Sequence, residues 1–271
     1  MGEVDSMSVS QADRIGYLAL RRDGHIATIT IDRPEKLNAL SNRFWADLRA
    51  ALAELANDGA TRVVVITGAG DKAFSAGGDI AGFSEMHGQD EMRRFQIDAM
   101  EGFDAIERSP LTIIAAVNGY ALGGGCELTL ACDIVIASDD AKFGMPEAAL
   151  GLIPGFGAIR AASVIGAHMT KFLVATCDHI DARRAYEIGL VQKVVGKAEL
   201  MDEALRIAAR IVRNSPLALT VGKRLINYDI DRRSIDYSVE AITVLQDSED
   251  RKEGVAAFLE KRPPQFSQRK Q

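Results

Sequence analysis

The sequence predicts an α/β fold, on the strength of three observations. Short apolar runs of the kind found in buried strands alternate with amphipathic stretches up to about Val195. Two of these apolar runs lead directly into glycine-rich turns, at residues 73–79 and 119–127. After Val195 only amphipathic, helix-like segments follow. Alternation of strands and helices along the chain is typical of α/β architecture.

The elements before Val195 follow from residue spacing and turn residues. Residues 15–21 and 25–32 are predicted to form a hairpin that turns at Asp23 and Gly24. A helix is predicted over 41–57, with Ser41 as N-cap and apolar residues recurring at helical spacing. The other predicted elements are a strand at 63–67, a helix at 91–108, a strand at 113–117, a helix at 126–132 and a strand at 134–137.

The last quarter of the chain is predicted to be helical throughout. Its helices are expected at 197–214, 215–228, 234–247 and 248–261. Pro263 and Pro264 then end the last helix, since proline cannot continue one. We therefore expect three segments: a disordered polar leader at 1–13, a core with the active site at 14–196 and a helical oligomerisation region at 197–271.

Composition and charge exclude several function classes. With 271 residues, 47% of them hydrophobic, the chain is long enough to bury a substantial core. A net charge of −6 argues against a nucleic-acid partner. The three cysteines have neither disulfide nor metal-site spacing, which indicates no metal and a reducing compartment. No apolar stretch approaches the ~20 residues that span a bilayer, so we expect a cytoplasmic protein without a membrane partner.

Two glycine-rich turns that each end in an acid are the most informative feature of the sequence. The first ends at Asp79 and the second at Glu127. Glycine leaves the backbone N–H groups open to a ligand, so two such turns can direct two donors at one oxygen, as in an oxyanion hole. A further acid, Glu147, follows Pro146 on a tight turn.

The segment 117–128, VNGYALGGGCEL, followed by Cys132 and Asp133, resembles the signature of the enoyl-CoA hydratase/isomerase (crotonase) superfamily. Companion motifs occur in the family's order at 33–40, 73–79, 146–155, 182–191 and 258–262. The resemblance covers about residues 15–266. It implies a crotonase-like spiral of ββα repeats, a C-terminal helical region that packs trimers or dimers of trimers, and a place in fatty acid metabolism.

The resemblance also implies a site for an acyl-CoA thioester. The backbone N–H groups of Gly78 and Gly124 would form the oxyanion hole. Glu127 would position and deprotonate water, and Glu147 would protonate Cα. Family members that only isomerise often keep a single acid, at the position of Glu147, so both acids together favour an enoyl-CoA hydratase. The alternatives are an enoyl-CoA isomerase or a crotonase-fold acyl-CoA hydrolase. No cofactor is expected, since coenzyme A is part of the substrate.

Further residues are assigned to substrate binding by the same resemblance. The residues expected along the coenzyme A chain are Lys36, Leu37, Ala76, Asp79, Ile80 and Lys261, the last from a neighbouring subunit. Residues 81–103, which include Phe83, Met86, Met92 and Phe95, are expected to wall the acyl pocket. Met145 departs from the family, because many hydratases have glutamine there.

Two other motifs keep different functions open. Gly68, Gly70 and Ala73 follow a strand in a dinucleotide-binding pattern, but Gly77 and Gly78 interrupt the segment where the helix of that motif should begin. The segment 73–77, AFSAG, is one substitution short of a nucleophile elbow around a serine. A hydrolase would also need a histidine, and the candidates are His87, His168 and His179. A non-catalytic coenzyme A-binding homologue would lack the two acids.

Overall fold

The computed structural model describes residues 13–84, 86, 88–227 and 232–266. The predicted leader, residues 1–13, therefore lies outside the described residues except for Asp13. That residue begins the first strand.

A seven-stranded sheet forms the centre of the molecule. In spatial order its strands are β1 (Asp13–Ile15), β2 (Leu18–Asp23), β3 (Ile26–Ile31), β4 (Val63–Gly68), β6 (Thr112–Val117), β8 (Ile134–Ser138) and β11 (Lys193–Val195). The first three strands are antiparallel neighbours, and every later pair is parallel. Strand β4 is buried at every position, which explains its continuous apolar sequence.

A second, four-stranded sheet brings the two glycine-rich turns together. Its order is β10 (Ile180–Asp181), β9 (Lys142–Gly144), β7 (Tyr120–Leu122) and β5 (Ala73–Ser75). Strands β5, β7 and β9 are mutually parallel, and each follows a strand of the larger sheet. Because β5 pairs with β7, the chain leaves both strands at the same edge, and the glycines that follow them become neighbours.

Eleven α-helices and three short 3-10 helices surround the sheets in the described part of the chain. The α-helices are α1 (Phe44–Asn57), α2 (Ile80–Ser84), α3 (Gln89–Arg108), α4 (Gly124–Ala131), α5 (Gly155–Val164), α6 (Ala167–Thr176), α7 (Ala182–Glu187), α8 (Leu200–Val212), α9 (Pro216–Ile226), α10 (Arg232–Gln246) and α11 (Glu249–Leu259). The 3-10 helices are Pro34–Lys36, Pro146–Leu150 and Lys197–Glu199.

The two faces of the larger sheet are covered by different helices. Helix α8 packs Leu200, Ala204 and Ala208 against one face, where Val63 and Val65 point. The opposite face belongs to the main core, to which α1, α3 and α4 contribute. The first helix of the segment predicted for oligomerisation thus covers the core sheet of its own chain.

The structure confirms the α/β class and corrects several details. The predicted hairpin is β2 and β3, but the run 15–21 is broken at Gly16, whose φ is +56°, so that β1 is a separate strand. The N-cap prediction for Ser41 is wrong: α1 begins at Phe44, and Ser41 belongs to the preceding turn, where its carbonyl accepts the Phe44 N–H at 3.0 Å.

The helices predicted near the C-terminus match α8 to α11 within a few residues. Ser215 and Ser248 act as N-caps, since their side chains accept the N–H groups of Ala218 and Arg251. Within the described residues, no helix combines the length and the apolar character needed to cross a lipid bilayer.

Candidate active site

The backbone N–H groups of Gly78 and Gly124 lie close together at the shared edge of β5 and β7. Gly124 is the first residue of α4, and a Cβ placed on it would lie 3.9 Å from the Gly78 nitrogen. Leu40 fixes the other turn, because its N–H donates to Gly77 and its carbonyl accepts from Asp79. Neither glycine N–H donates a hydrogen bond to another described residue. Two backbone N–H groups without an acceptor among the described residues therefore lie near each other, and the dipole of α4 adds positive potential there.

Both acids lie against the same turn. Gly123 has a φ of +53°, and a Cβ on it would lie 3.1 Å from Oε1 of Glu147. A Cβ on Gly124 would lie 3.9 Å from Oε2 of Glu127. The structure therefore brings together the four groups that the sequence predicts for the reaction centre: Gly78, Gly124, Glu127 and Glu147.

Glu127 lies in the first turn of α4 and is only 8% exposed. Its Oε1 accepts the backbone N–H of Gly157 at 2.7 Å, and the N–H of Phe156 also donates to it. Burial raises the pKa of Glu127 to about 7, while the two backbone hydrogen bonds act in the opposite direction. Glu127 thus sits at the N-terminus of α5, where a carboxylate is stabilised.

Gly157 is a site residue that the sequence analysis missed. A Cβ on it would lie 2.9 Å from Sδ of Met145 and 3.0 Å from Cγ of Glu127. A larger residue would therefore displace the carboxylate. The pattern Pro154, Gly155, Phe156, Gly157 is the signal that could have indicated a tight helix start.

Glu147 belongs to the 3-10 helix Pro146–Leu150 and occupies a different environment. Its Oε2 is buried and has no hydrogen-bond partner among the described residues. Burial, and then the charge of Glu127, raise the pKa of Glu147 well above its ordinary value. Above pH about 7 the pair accordingly holds one proton, which the two shifts place on Glu147, and the negative charge lies on Glu127.

The surroundings of the two acids are apolar. Met145 is 1% exposed and lies beneath Gly157, so no amide side chain stands at this position to donate to a carboxylate. Burial, together with the charges of Glu147 and Glu127, raises the pKa of the Cys126 thiol to about 12. Cys126 is therefore a neutral packing residue.

Five of the six residues predicted to bind coenzyme A lie in adjoining segments. Leu37 accepts the Ala76 N–H at 3.0 Å on its carbonyl, and Lys36 precedes it in the 3-10 helix Pro34–Lys36. Asp79 lies on the neighbouring turn and Ile80 begins α2. These residues border the turn of Gly78, as substrate binding beside the oxyanion hole would require.

Asp79 is engaged by two cations. Its Oδ2 lies 2.9 Å from Nη2 of Arg33 and 3.3 Å from Nζ of Lys36. Burial by itself raises the pKa of Asp79, but the hydrogen bonds and charges of Arg33 and Lys36 outweigh it and lower the pKa. Arg33, which also donates to the Ala39 carbonyl at 2.8 Å, was not predicted as a site residue. Together these contacts tie the loop of Lys36 to the glycine-rich turn.

Lys261 stands apart from this group within one chain. It follows α11 with a φ of +54° and forms no ion pair with a described residue. Of the residues predicted to wall the acyl pocket, Met86 and Met92 are buried and Phe95 is partly buried. The side chain of Phe83 lies outside the described part of the structure.

Neither the dinucleotide-binding motif nor the nucleophile elbow has the structure that its function requires. Strand β4 ends at Gly68 and is followed by β5, so no helix begins where a dinucleotide-binding turn requires one. Ser75 lies inside β5, is fully buried and accepts the Gly77 N–H at 3.2 Å on its hydroxyl. It therefore lacks the exposed position of a nucleophile elbow. His87, one candidate partner, lies outside the described residues.

Comparison with known families identifies the chain. The profile of the enoyl-CoA hydratase/isomerase family matches residues 21–269. The chain belongs to this family. A short-chain-enoyl-CoA hydratase from Clostridium acetobutylicum is 43% identical over 253 residues, which is 92% of this chain and 96% of the relative. A crotonyl-CoA hydratase from Syntrophomonas wolfei is 41% identical over 254 residues, 92% of this chain and 97% of the relative.

A solved structure of this enoyl-CoA hydratase/isomerase family has the same fold. The carnitinyl-CoA hydratase from Mycobacterium avium superposes with a TM-score of 0.82 at 36% identity, covering 94% of this chain and 99% of its own. The comparisons confirm two predictions made from the sequence: membership of the family and enoyl-CoA hydratase activity, which makes the protein a lyase.

Proposed function

We propose that the protein adds water reversibly to a short-chain 2-enoyl-CoA thioester, with Glu127 as general base and Glu147 as general acid. The observation that carries this assignment is the buried acid pair beside two free backbone donors. Glu127 is held by Gly157, whereas Oε2 of Glu147 has no partner in the described residues. Two carboxyl groups with different environments at one turn suit opposite roles in proton transfer.

The thioester carbonyl is assigned to the N–H groups of Gly78 and Gly124. Attack at Cβ moves electron density onto the carbonyl oxygen, and the two donors stabilise the enolate-like transition state more than the ground state. This step requires no donor side chain, which agrees with the turn of glycines at 123–125. It also needs no metal or redox cofactor.

Protons balance within the acid pair. Ionised Glu127 takes a proton from water as the water oxygen bonds to Cβ, and protonated Glu147 gives its proton to Cα. The pair begins and ends with one shared proton, on Glu147 before the reaction and on Glu127 after it. The raised pKa of Glu147 supports this direction, because the acid must carry a proton at neutral pH.

The names of the two relatives with 41–43% identity support a short acyl chain, since they are a short-chain-enoyl-CoA hydratase and a crotonyl-CoA hydratase. Coenzyme A is proposed to run past Lys36, Leu37, Ala76 and Ile80, with Asp79 holding Lys36 in place. Lys261 of a neighbouring subunit would meet a phosphate. The trimer or hexamer that this implies, the ββα spiral, and the cytoplasmic location remain part of the proposal.

The test is product analysis together with two conservative substitutions. Incubation with crotonyl-CoA and with longer 2-enoyl-CoA thioesters, followed by chromatography and mass spectrometry, should reveal a mass gain of one water. Glu127→Gln and Glu147→Gln should each lower hydration by at least ~10², because each removes one proton-transfer group while keeping its size.

Each failure has a distinct meaning. A double-bond shift without a change in mass would identify an isomerase, and free coenzyme A would identify a hydrolase. Full turnover by a folded Glu127→Gln variant would refute the two-acid mechanism. Asp139→Asn, at an exposed acid outside the site, serves as the matched control and should turn over at the parent rate.

A further inference from the structure

Helix α11 packs so closely against the 3-10 helix Pro146–Leu150, which contains Glu147, that the two backbones are in contact. A Cβ placed on Gly254 of α11 would lie 2.6 Å from the carbonyl carbon of Leu150 and 2.7 Å from its Cα. On the facing side, a Cβ on Gly151 would lie 2.6 Å from the nitrogen of Arg251. Glycine on both surfaces therefore allows the two backbones to meet without side chains between them.

One of the two contacted residues, Gly151, is hydrogen-bonded to the backbone of Glu147. The N–H of Gly151 donates to the carbonyls of Ala148 and Glu147, and the N–H of Leu152 donates to the Glu147 carbonyl at 3.0 Å. Leu150 ends the same short helix. Since this helix has only five residues, a shift at Leu150 is passed to Glu147 rather than absorbed.

The glycine of α11 has no local reason to be there. Glycine in a helix interior is destabilising relative to alanine, so its presence calls for a tertiary contact. Helix α9 contains a glycine in the opposite situation, because a Cβ on Gly222 would meet nothing within 4 Å. The two glycines thus form a natural pair for comparison.

We propose that Gly254 is a positioning residue for Glu147: by fixing the distance between α11 and the 3-10 helix, it sets where the carboxyl group lies opposite Glu127. The inference rests on the proposed catalytic role of Glu147. A methyl group at this position has to push apart two backbones, and displacements on the order of 1 Å in a catalytic group can lower turnover by ~10². The C-terminal helices then act on the chemistry of their own chain in addition to any role in assembly.

The test compares Gly254→Ala with Gly222→Ala in the full-length protein, with crotonyl-CoA as substrate. Gly254→Ala should lower kcat by at least ~10-fold and change KM less than kcat, because the proposed coenzyme A contacts other than Lys261 lie on segments away from α11. It should also shift the alkaline limb of the kcat pH profile, since the pKa of Glu147 is set by its burial and by its distance from Glu127, both of which change when the carboxyl group moves. Gly222→Ala should keep the kcat and pH profile of the parent.

Several results would overturn the proposal. The proposal is wrong if Gly254→Ala has the same kcat as the parent. It is also wrong if kcat falls while the pH profile stays unchanged, because that result indicates a merely structural role. Gly151→Asn, which tolerates the φ of +71° but adds a Cβ on the facing surface, provides a second variant. If neither variant folds by circular dichroism, the contact serves the fold as a whole and the positioning role is wrong. Glu147→Gln is measured in parallel: its full activity would instead refute the proposed function.

Discussion

Glu127 and Glu147 are the same side chain in two environments, and the difference sets their proposed roles. Glu127 receives backbone N–H groups at the start of α5, which favour its charged form. Glu147 has a buried oxygen that meets no hydrogen-bond partner in the described part of the chain, and it is near the charge of Glu127; both favour its neutral form. In the proposed mechanism, burial and hydrogen bonds thus make a base of one glutamate and an acid of the other.

We predict a bell-shaped pH dependence of kcat/KM. Activity should rise as pH increases through about 7, where Glu127 loses its proton in the free enzyme, because the base must be ionised. Activity should fall again at higher pH, as Glu147 passes through its raised pKa, because the acid must be protonated. Initial rates with crotonyl-CoA in buffers of constant ionic strength measure both limbs.

The variants Glu127→Gln and Glu147→Gln show which acid produces each limb of the pH profile. Residual activity of Glu127→Gln should lack the acid limb, and that of Glu147→Gln should lack the alkaline limb. A parent profile that stays flat from mildly acidic to alkaline pH would contradict the pair of perturbed groups. Product ratios must be measured together with rates, because hydration is reversible.

At the residue scale, the sequence predicts the candidate reacting groups but not the residues that support them. Glu127, Glu147, Gly78 and Gly124 can be predicted because they lie in contiguous motifs that resemble those of a known family. Gly157 was missed because its contact with Glu127 joins residues that are 30 positions apart, which no local pattern reports. Arg33 was missed for the same reason, since its partner Asp79 lies 46 positions away.

At the element scale, length decided which predictions held. Long helices such as α3 and α8 can be predicted from their amphipathic pattern, and the buried strands β4 and β6 from their continuous apolar runs. Strands β5 and β7 have three residues each, too few to show an alternation, and are defined only by their pairing. The sequence pattern predicts no helix or strand in the segment 146–192. This segment nevertheless forms α5, α6 and α7, which are held in place by tertiary contacts.

Helix α5 shows how packing between elements supports the site. Phe156, in its first turn, stacks on Phe103 of α3 with ring centroids 4.3 Å apart, and Phe103 meets Trp45 of α1 at 4.4 Å. Aromatic contacts of this kind add stability beyond their buried area. The N–H groups that hold Glu127 are therefore attached to a rigid aromatic core.

A partly buried ion pair joins α9 to the core and gives a prediction at this scale. Nζ of Lys223 lies 2.8 Å from Oδ2 of Asp133 and also donates to the carbonyls of Ile106 and Leu111. Lys223→Met leaves Asp133 without its cation, so it should destabilise the protein by about 3 kcal/mol and lower the Tm by several degrees.

Differential scanning calorimetry at fixed protein concentration measures this change. Lys252→Met is the matched control, because Lys252 pairs with Glu249 on the surface, where an ion pair contributes about 0–1 kcal/mol. Equal Tm values for the two variants would show that the Lys223 pair is no stronger than a surface pair.

At the scale of the whole molecule, the C-terminal helices leave a large apolar surface uncovered. Leu217, Val221 and Leu225 recur every fourth residue along α9, and the first and last of them are 72% and 70% exposed. Ile226 beside them is 80% exposed. Contiguous patches of this kind are rare on monomers and mark protein contacts, and further copies of this chain are the partners that the family resemblance implies.

We predict that the full-length protein is a trimer or hexamer in solution and that α9 forms part of its interface. The double variant Leu217→Asp/Leu225→Asp places two negative charges on this apolar face of α9. Burying unpaired charges costs enough free energy to separate the subunits. Multi-angle light scattering should then give the mass of a monomer. Tyr186→Asp, at an exposed aromatic residue of α7, is the control and should keep the parent mass.

The monomeric variant also separates assembly from catalysis. Both acids and both oxyanion donors come from one chain, so kcat should change little if the variant stays folded. KM for crotonyl-CoA should rise, because a monomer lacks the neighbouring subunit whose Lys261 we propose to bind the coenzyme A phosphates. An unchanged mass in the double variant would exclude α9 from the interface, and an unchanged KM in a confirmed monomer would remove Lys261 from the binding site.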